Sequence, residues 1–275
     1  MQEYYLGMRA GDLDGKPYAK YWQPEMRPLP REAAQALLHG NEAGQLGLSM
    51  LDVDRLLEPG TLPMENGFTR MQDGTVFVAV RTEMPRVTGA MFEWWMGWHY
   101  MEDQRYKLWH PRAHLANGTA DMRGDDPHLS DREKYRTTHR VAEYIGDRLE
   151  EITITFFDPS ELFSSSPEQF AELGTTAMVC GRVRLQRAAV TIGHLVHQIR
   201  ETANGSEMRS RFWLGRPQLD RFASSHPFNR LLSSALVSSR LVGPHLGRDM
   251  LVHCAMEMQH LAGFLPELYA DYHPR

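Results

Sequence analysis

Asp249-Met250-Leu251-Val252-His253-Cys254-Ala255-Met256-Glu257-Met258-Gln259-His260-Leu261 is the stretch on which the fold of this chain turns. Its apolar residues, Leu251, Val252, Ala255, Met258 and Leu261, continue into Ala262 and Leu265 at a helical period. Pro244 and Gly247 precede the run and Asp249 suits an N-cap, so the spacing predicts a long helix close to the C-terminus. His253 and Glu257 stack one turn apart on a single face of that helix. A carboxylate in so apolar a segment is costly to bury unpaired. An imidazole nitrogen and a carboxylate oxygen at this spacing can hold a divalent metal. His-x-x-x-Glu is nevertheless a short pattern, and taken alone a helix with a few polar positions on its wet side is the plainer explanation.

Outward from that helix, segment 75–82 is β-branched and bounded by Asp73-Gly74, which predicts a strand. Segments 151–157 and 177–186 give two more strands. Segments 189–201 and 206–214 pair as a hairpin across the turn signal Asn204-Gly205. Segment 89–100 is apolar nearly all round and predicts a short buried helix, whereas 217–241 is irregular or helical. Residues 1–70 are punctuated by Pro17, Pro24, Pro28, Pro30, Pro59 and Pro63 and admit only short helices, near 30–38 and 52–57. These elements predict an α+β protein: a curved antiparallel sheet wrapped round the terminal helix, a cavity between them, and a small N-terminal domain over 1–70.

The composition narrows the function. At 275 residues, with 42% hydrophobic and 24% charged, the chain is an ordinary globular protein able to bury a large core. A net charge of −5 and no basic stripe argue against a nucleic-acid partner. No apolar run approaches the ~20 residues of a membrane span, and the N-terminus lacks the pattern of a signal peptide. Two cysteines, Cys180 and Cys254, make no disulfide scaffold and point to a reducing cytoplasm.

Several polar residues besides the helix pair fall in apolar surroundings: His110 and His114, Asn117, Glu143 and His197. Pro111 argues against one helix carrying both His110 and His114. In the segment Ile192-Gly193-His194-Leu195-Val196-His197-Gln198-Ile199, strand alternation puts His197 with Ile199 on one face and Val196 with Gln198 on the other. Each has a dull explanation as a surface, edge or satisfied core residue.

Together, Tyr106-Lys107-Leu108-Trp109-His110-Pro111-x-x-His114-x-x-Asn117, Glu143-Tyr144-Ile145-Gly146 and His253-x-x-x-Glu257 resemble the 2,4-diacetylphloroglucinol hydrolase and phloretin hydrolase family. The order and spacing agree over roughly residues 75–265. The resemblance implies a zinc enzyme with a Bet v 1-like (START-like) helix-grip catalytic domain over 71–275. It also implies an N-terminal domain over 1–70 that supports a homodimer. Its metal ligands would be His114, Glu143, His253 and Glu257, with His114 preferred to His110 because Asn117 then falls in register. Tyr106 and Asn117 would hold phenolic hydroxyls, and His197 would be the catalytic histidine. A second substrate-contacting tyrosine of the family falls on Phe212, so one hydroxyl contact is missing and the exact substrate is left open. Trp94, Trp95 and Trp98 would join Phe212 in an apolar wall.

The implied reaction is hydrolysis of the carbon–carbon bond between an acyl group and a polyhydroxylated ring, as in 2,4-diacetylphloroglucinol giving monoacetylphloroglucinol and acetate. Such a ring tautomerises to a keto form, the acyl group becomes a β-dicarbonyl, and water attack expels a stabilised enolate. Zinc suits this step because it polarises a carbonyl and lowers the pKa of a bound water to ~7. His197 would supply or hold a proton, its reference pKa lying near neutrality. Two other functions fit the same fold: a non-enzymatic carrier of hydrophobic ligands and an aromatic polyketide cyclase. A carrier has no need of two histidines and two carboxylates converging on one point.

Overall fold

Runs of β-branched residues with period-two alternation fill the middle of the chain, and a computed structural model closes them into one sheet. It describes residues 3–5, 8–9, 11–186, 190–203, 205–219, 226–232 and 245–273. A ribbon of β1 (Glu3–Tyr5) and β2 (Met8–Arg9) is followed by α1 (Arg31–His39) and a 3-10 helix at Met50–Leu57. Next come β3 (Gly67–Arg70), β4 (Val76–Met84), α2 (Gly89–Trp98), α3 (Asp103–Trp109), β5 (His114–Gly118) and α4 (Asp131–Tyr135). The remaining strands are β6 (Thr138–Ile145), β7 (Arg148–Phe157), β8 (Thr175–Leu185), β9 (Val190–Thr202) and β10 (Gly205–Leu219), with α5 (Pro167–Glu172) between β7 and β8. Helices α6 (Pro227–Leu232), α7 (Leu246–Leu261) and α8 (Leu265–Tyr272) complete the elements among the described residues.

The eight strands from β3 to β10 form a single antiparallel sheet in the order β3-β4-β10-β9-β8-β7-β6-β5. Helix α7 packs against β3, β4 and β6, its Leu251, Cys254, Ala255, Met258 and Leu261 fully buried in the main core. This is the α+β helix-grip arrangement expected from the sequence. Strand alternation sends Val78, Val80, Leu195, Ile199, Met208 and Phe212 to the helix side. Phe77, Ala79, Val196 and Trp213 go to the opposite side, where Leu48, Val53, Leu56, Leu57, Leu62 and Met64 of the N-terminal segment cover them in a second core.

Two buried arginines fasten that cover. Arg209 and Arg211 point outward from β10, and both donate to the Glu65 carboxylate, Arg209 Nη2 at 2.7 Å. Arg209 also reaches the Leu56 carbonyl at 2.9 Å, and Trp213 Nε1 donates to the Leu48 carbonyl at 2.6 Å.

Two boundaries near the site differ from the sequence expectation. Helix α7 begins at Leu246 with His245 as N-cap, so Asp249 lies inside the first turn, its N–H on the His245 carbonyl at 2.9 Å. Gly247 permits the earlier start: a Cβ there would stand 3.0 Å from the Phe68 side chain, on which this turn rests. Strand β10 extends to Leu219 instead of ending at Leu214, because the ladder shifts register between Leu214 and Gln218, where Gly215 (φ +87) and Pro217 fall. Of segment 217–241, residues 217–219 are therefore strand and 227–232 are α6, while 220–225 and 233–241 lie outside the described residues. The β9–β10 hairpin is present with Gly205 opposite Thr202; Asn204 of its turn lies outside the described residues.

Candidate active site

The site is assembled where three elements meet. Helix α3 stops at Trp109 because Pro111 cannot continue it, and the chain turns back with His114 N–H on the His110 carbonyl at 2.9 Å. This turn delivers His114 to the start of β5, directly opposite Glu143 on β6. The turn at Gly146 (φ +66) then brings Tyr144 beside α7, where a Cβ at 146 would strike the Asp249 carboxylate at 2.7 Å. Helix α7 supplies His253 and Glu257 from above.

The tautomers of both histidines follow from their neighbours. His114 Nδ1 lies 3.1 Å from the Tyr106 carbonyl and His253 Nδ1 lies 3.0 Å from the Tyr144 carbonyl. A carbonyl oxygen only accepts, so each Nδ1 carries the proton and each Nε2 keeps a lone pair facing the centre. His114 Nε2 is 3.5 Å from an oxygen of Glu143 and 3.5 Å from one of Glu257. His253 Nε2 is 4.0 Å and 3.6 Å from the same two oxygens. His114, Glu143 and His253 each offer a donor atom within 4.8 Å of the others, and Glu257 closes the group from the helix.

Burial, and then the neighbouring imidazole of His253, holds His114 well below the usual histidine range; burial likewise lowers His253, so both rings are neutral. Glu257 is pushed well above the ordinary carboxylate range by burial and then by the charge of Glu143. His114 Nε2 is buried with no hydrogen-bond partner. Two carboxylates beside two inward lone pairs, in a site this dry, call for a cation. An N2O2 set of this kind fits zinc and other divalent transition metals.

Around this group, Tyr106 stacks its ring on His114, with centroids 3.8 Å apart and planes 7° apart, and donates its hydroxyl to Glu143. Metal-binding side chains commonly have such outer partners. Asn117 is buried on β5, and neither its amide nitrogen nor its amide oxygen has a partner. His197 faces inward from β9, its Nδ1 2.8 Å from Ser210 Oγ and its ring edge-on to Phe212. Burial pushes His197 down to about 3, so at neutral pH it is an uncharged imidazole able to donate or accept, not a stored acid. Apart from Ser210, these side chains line one cavity between sheet and helix.

Trp95 and Trp98 are not among the residues lining that cavity. Trp95 is buried behind it against His99, Trp109 and Phe264, and Trp98 packs on Tyr18, Trp94 and Tyr272. His110 also lies outside the lining, stacked on His253 with centroids 4.8 Å apart. Several lining residues were given no role from the sequence, among them Trp109, His99 and His139. His139 was within reach of sequence reasoning, since residues 139, 141 and 143 share one face of β6.

A helix-grip protein with a buried cluster of two imidazoles and two carboxylates in its cavity is the class that fold and site define. Residues 48–270 match the family described as the DAPG hydrolase PhiG domain. The chain is 33% identical over 278 residues to 2,4-diacetylphloroglucinol hydrolase of Pseudomonas protegens, covering 99% of this chain and 89% of that protein. It is 26% identical over 264 residues to phloretin hydrolase of Eubacterium ramulus, covering 92% and 89%. Among solved structures it is similar to that of Ara h 8.0201, at 9% identity and a TM-score of 0.39, over 70% of this chain and 99% of the other. The chain belongs to the 2,4-diacetylphloroglucinol hydrolase family and is a hydrolase acting on a carbon–carbon bond.

Proposed function

We propose that this protein is a zinc-dependent hydrolase that cleaves the aryl–acyl bond of acylphloroglucinols, turning 2,4-diacetylphloroglucinol into monoacetylphloroglucinol and acetate. The observation that carries the reading is the convergence of His114, Glu143, His253 and Glu257 around inward-facing lone pairs, with the unpaired Asn117 amide in the same cavity. The names of the relatives supply the substrate class.

Water adds to the acyl carbon, the bond to the ring breaks, the ring carbon takes a proton, and the acyl group leaves as a carboxylic acid. Zinc held by the four ligands would supply Lewis acidity toward the carbonyl and a water that ionises near pH 7. Asn117 can accept from one ring hydroxyl and donate to another, which fixes the ring plane. Tyr106 is held neutral, its phenol pushed well above its ordinary range by burial and then by Glu143, so its hydroxyl donates and orients that carboxylate. His197, steadied by Ser210, is placed to pass a proton to or from the reacting ring. Trp109 and Phe212 help to keep bulk water away.

We also propose that residues 1–70 serve assembly as a homodimer. Leu38 and Leu51, both in that segment, expose 87% and 96% of their surface, apolar area that a second copy would cover. Among the described residues no helix is long and apolar enough to cross a membrane.

The test is incubation of the purified protein with diacetylphloroglucinol in heavy-oxygen water, alongside elemental analysis. One zinc per chain and label in the released acetate are expected. Label in the ring hydroxyls, or release of an aldehyde, would refute the hydrolytic reading.

A further inference from the structure

The inner face of β6 is a line drawn through the whole site. Alternation places His139, Val141, Glu143 and Ile145 on it in turn, so His139 lies about 13 Å from Glu143 along the strand at ~3.3 Å per residue. His139 and Glu143 line the inner cavity, whereas Glu143 and Ile145 line a second, outer cleft. Phe212 and Met250 border both spaces as well, so the two meet at the ligand cluster.

The two spaces differ in size and in the polar atoms left unpaired within them. The inner space holds the unpaired polar atoms: both amide atoms of Asn117, Nε2 of His139 and Nε1 of Trp109. His139 is almost wholly buried and its other side is bonded to the Tyr135 backbone, so Nε2 is left facing the cavity. Such atoms match the hydroxyls of a polyhydroxylated ring. The outer cleft has a volume of about 830 Å³; Ile145, Ile152, Val183, Leu185, Ile192 and Leu214 line it together with the charged Asp147, Arg148, Glu150, Arg248 and Asp249. The six apolar residues come from five successive strands, β6 to β10, and form a continuous hydrocarbon wall in which Leu185 is left 41% exposed.

We propose that the outer cleft is the acyl-chain site of this hydrolase, and that its preferred substrates are acylphloroglucinols whose acyl group is several carbons long. The inference rests on the hydrolase reading above and adds the direction in which the substrate lies. With the ring among Asn117 and His139 and the scissile carbonyl at the ligand cluster, the remaining carbonyl substituent is directed into the outer cleft, which meets the inner space at Glu143, Phe212 and Met250. An acetyl methyl would leave most of that volume unfilled. Each further methylene that leaves water there strengthens binding by up to about fourfold.

A substrate with two different acyl groups makes the enzyme choose. Full-length, zinc-loaded protein is given 2-acetyl-4-hexanoylphloroglucinol, and the acids released are quantified by mass spectrometry. Hexanoate is expected in at least roughly tenfold excess over acetate, well inside the ceiling set by four added methylenes. Ile192→Asp places a charge in the cleft and should bring that ratio toward one. Leu185→Glu, at a partly exposed position that tolerates a charge, should move it the same way. Equal amounts of the two acids, or more acetate, would overturn the inference and put the ring in the outer cleft instead. Release of neither acid, with diacetylphloroglucinol also untouched, would remove the hydrolase reading and the inference with it.

Discussion

Replacing Glu65 with Gln tests how the N-terminal cover is held to the sheet. The Glu65 carboxylate accepts from Arg209 Nη2 at 2.7 Å, from Arg209 Nε at 3.1 Å, from Arg211, and from the Leu62 N–H at 2.6 Å. Both guanidinium groups are wholly buried. Burial alone would raise the Glu65 pKa, but the Arg211 charge and the Arg209 hydrogen bond outweigh it and hold the carboxyl at about 2, against an ordinary 4.5. A depressed folded-state value means stabilisation that is fully present above pH 4.5 and is lost as pH falls through about 2. At 1.36 kcal/mol per unit that difference corresponds to about 3 kcal/mol. Removal of one member of a buried ion pair generally costs ~3–5 kcal/mol, because the charges left behind have no partner. Glu65→Gln should therefore lose about 3 kcal/mol of unfolding free energy at pH 7, read from urea denaturation by circular dichroism. The gap between the two proteins should narrow from pH 4.5 toward pH 2, as the native carboxyl takes up its proton. A loss below ~1 kcal/mol at pH 7, or a gap that ignores pH over that window, would show that the triad does not clamp the cover. The perturbation should also reach the site, since Ser210 sits between the two arginines and its hydroxyl meets His197 on the other face.

Three further outcomes are expected. His253→Ala and Glu257→Ala should each lose bound metal in elemental analysis, and full retention in both would exclude helix α7 from the metal site. His197→Ala should lower kcat by ~100-fold while changing KM much less, whereas loss confined to KM would make His197 a binding residue. Light scattering should report a dimer, and Leu38→Asp combined with Leu51→Asp should shift it toward monomer; a native monomer at micromolar concentration would refute assembly through this surface.

The period of the final helix, the β-branched runs and the hairpin signal were enough to specify a sheet gripping a helix, because alternation and helical spacing are local properties of the chain. The same alternation put His197 with Ile199 on one face of its strand and Val196 with Gln198 on the other, but which of the two faces looks inward was decided by the fold. Nothing local could show that His114, Glu143 and His253 meet, because they are far apart in sequence and are joined only by strand register and by α7 crossing the sheet. Their grouping came from resemblance, and the geometry that gives it meaning is tertiary: two backbone carbonyls choose the histidine tautomers and leave both Nε2 atoms facing the carboxylates. Burial is likewise decided only by packing. It makes His197 a neutral ring instead of one titrating near pH 7, and it sets Trp95 and Trp98 behind the cavity while admitting Trp109 and His139 to its wall. Arg209 and Arg211 carry the same lesson. On the chain they are two charges flanking a serine, and only the folded sheet, by burying both against Glu65, turns them into the fastening between N-terminal cover and active-site strand.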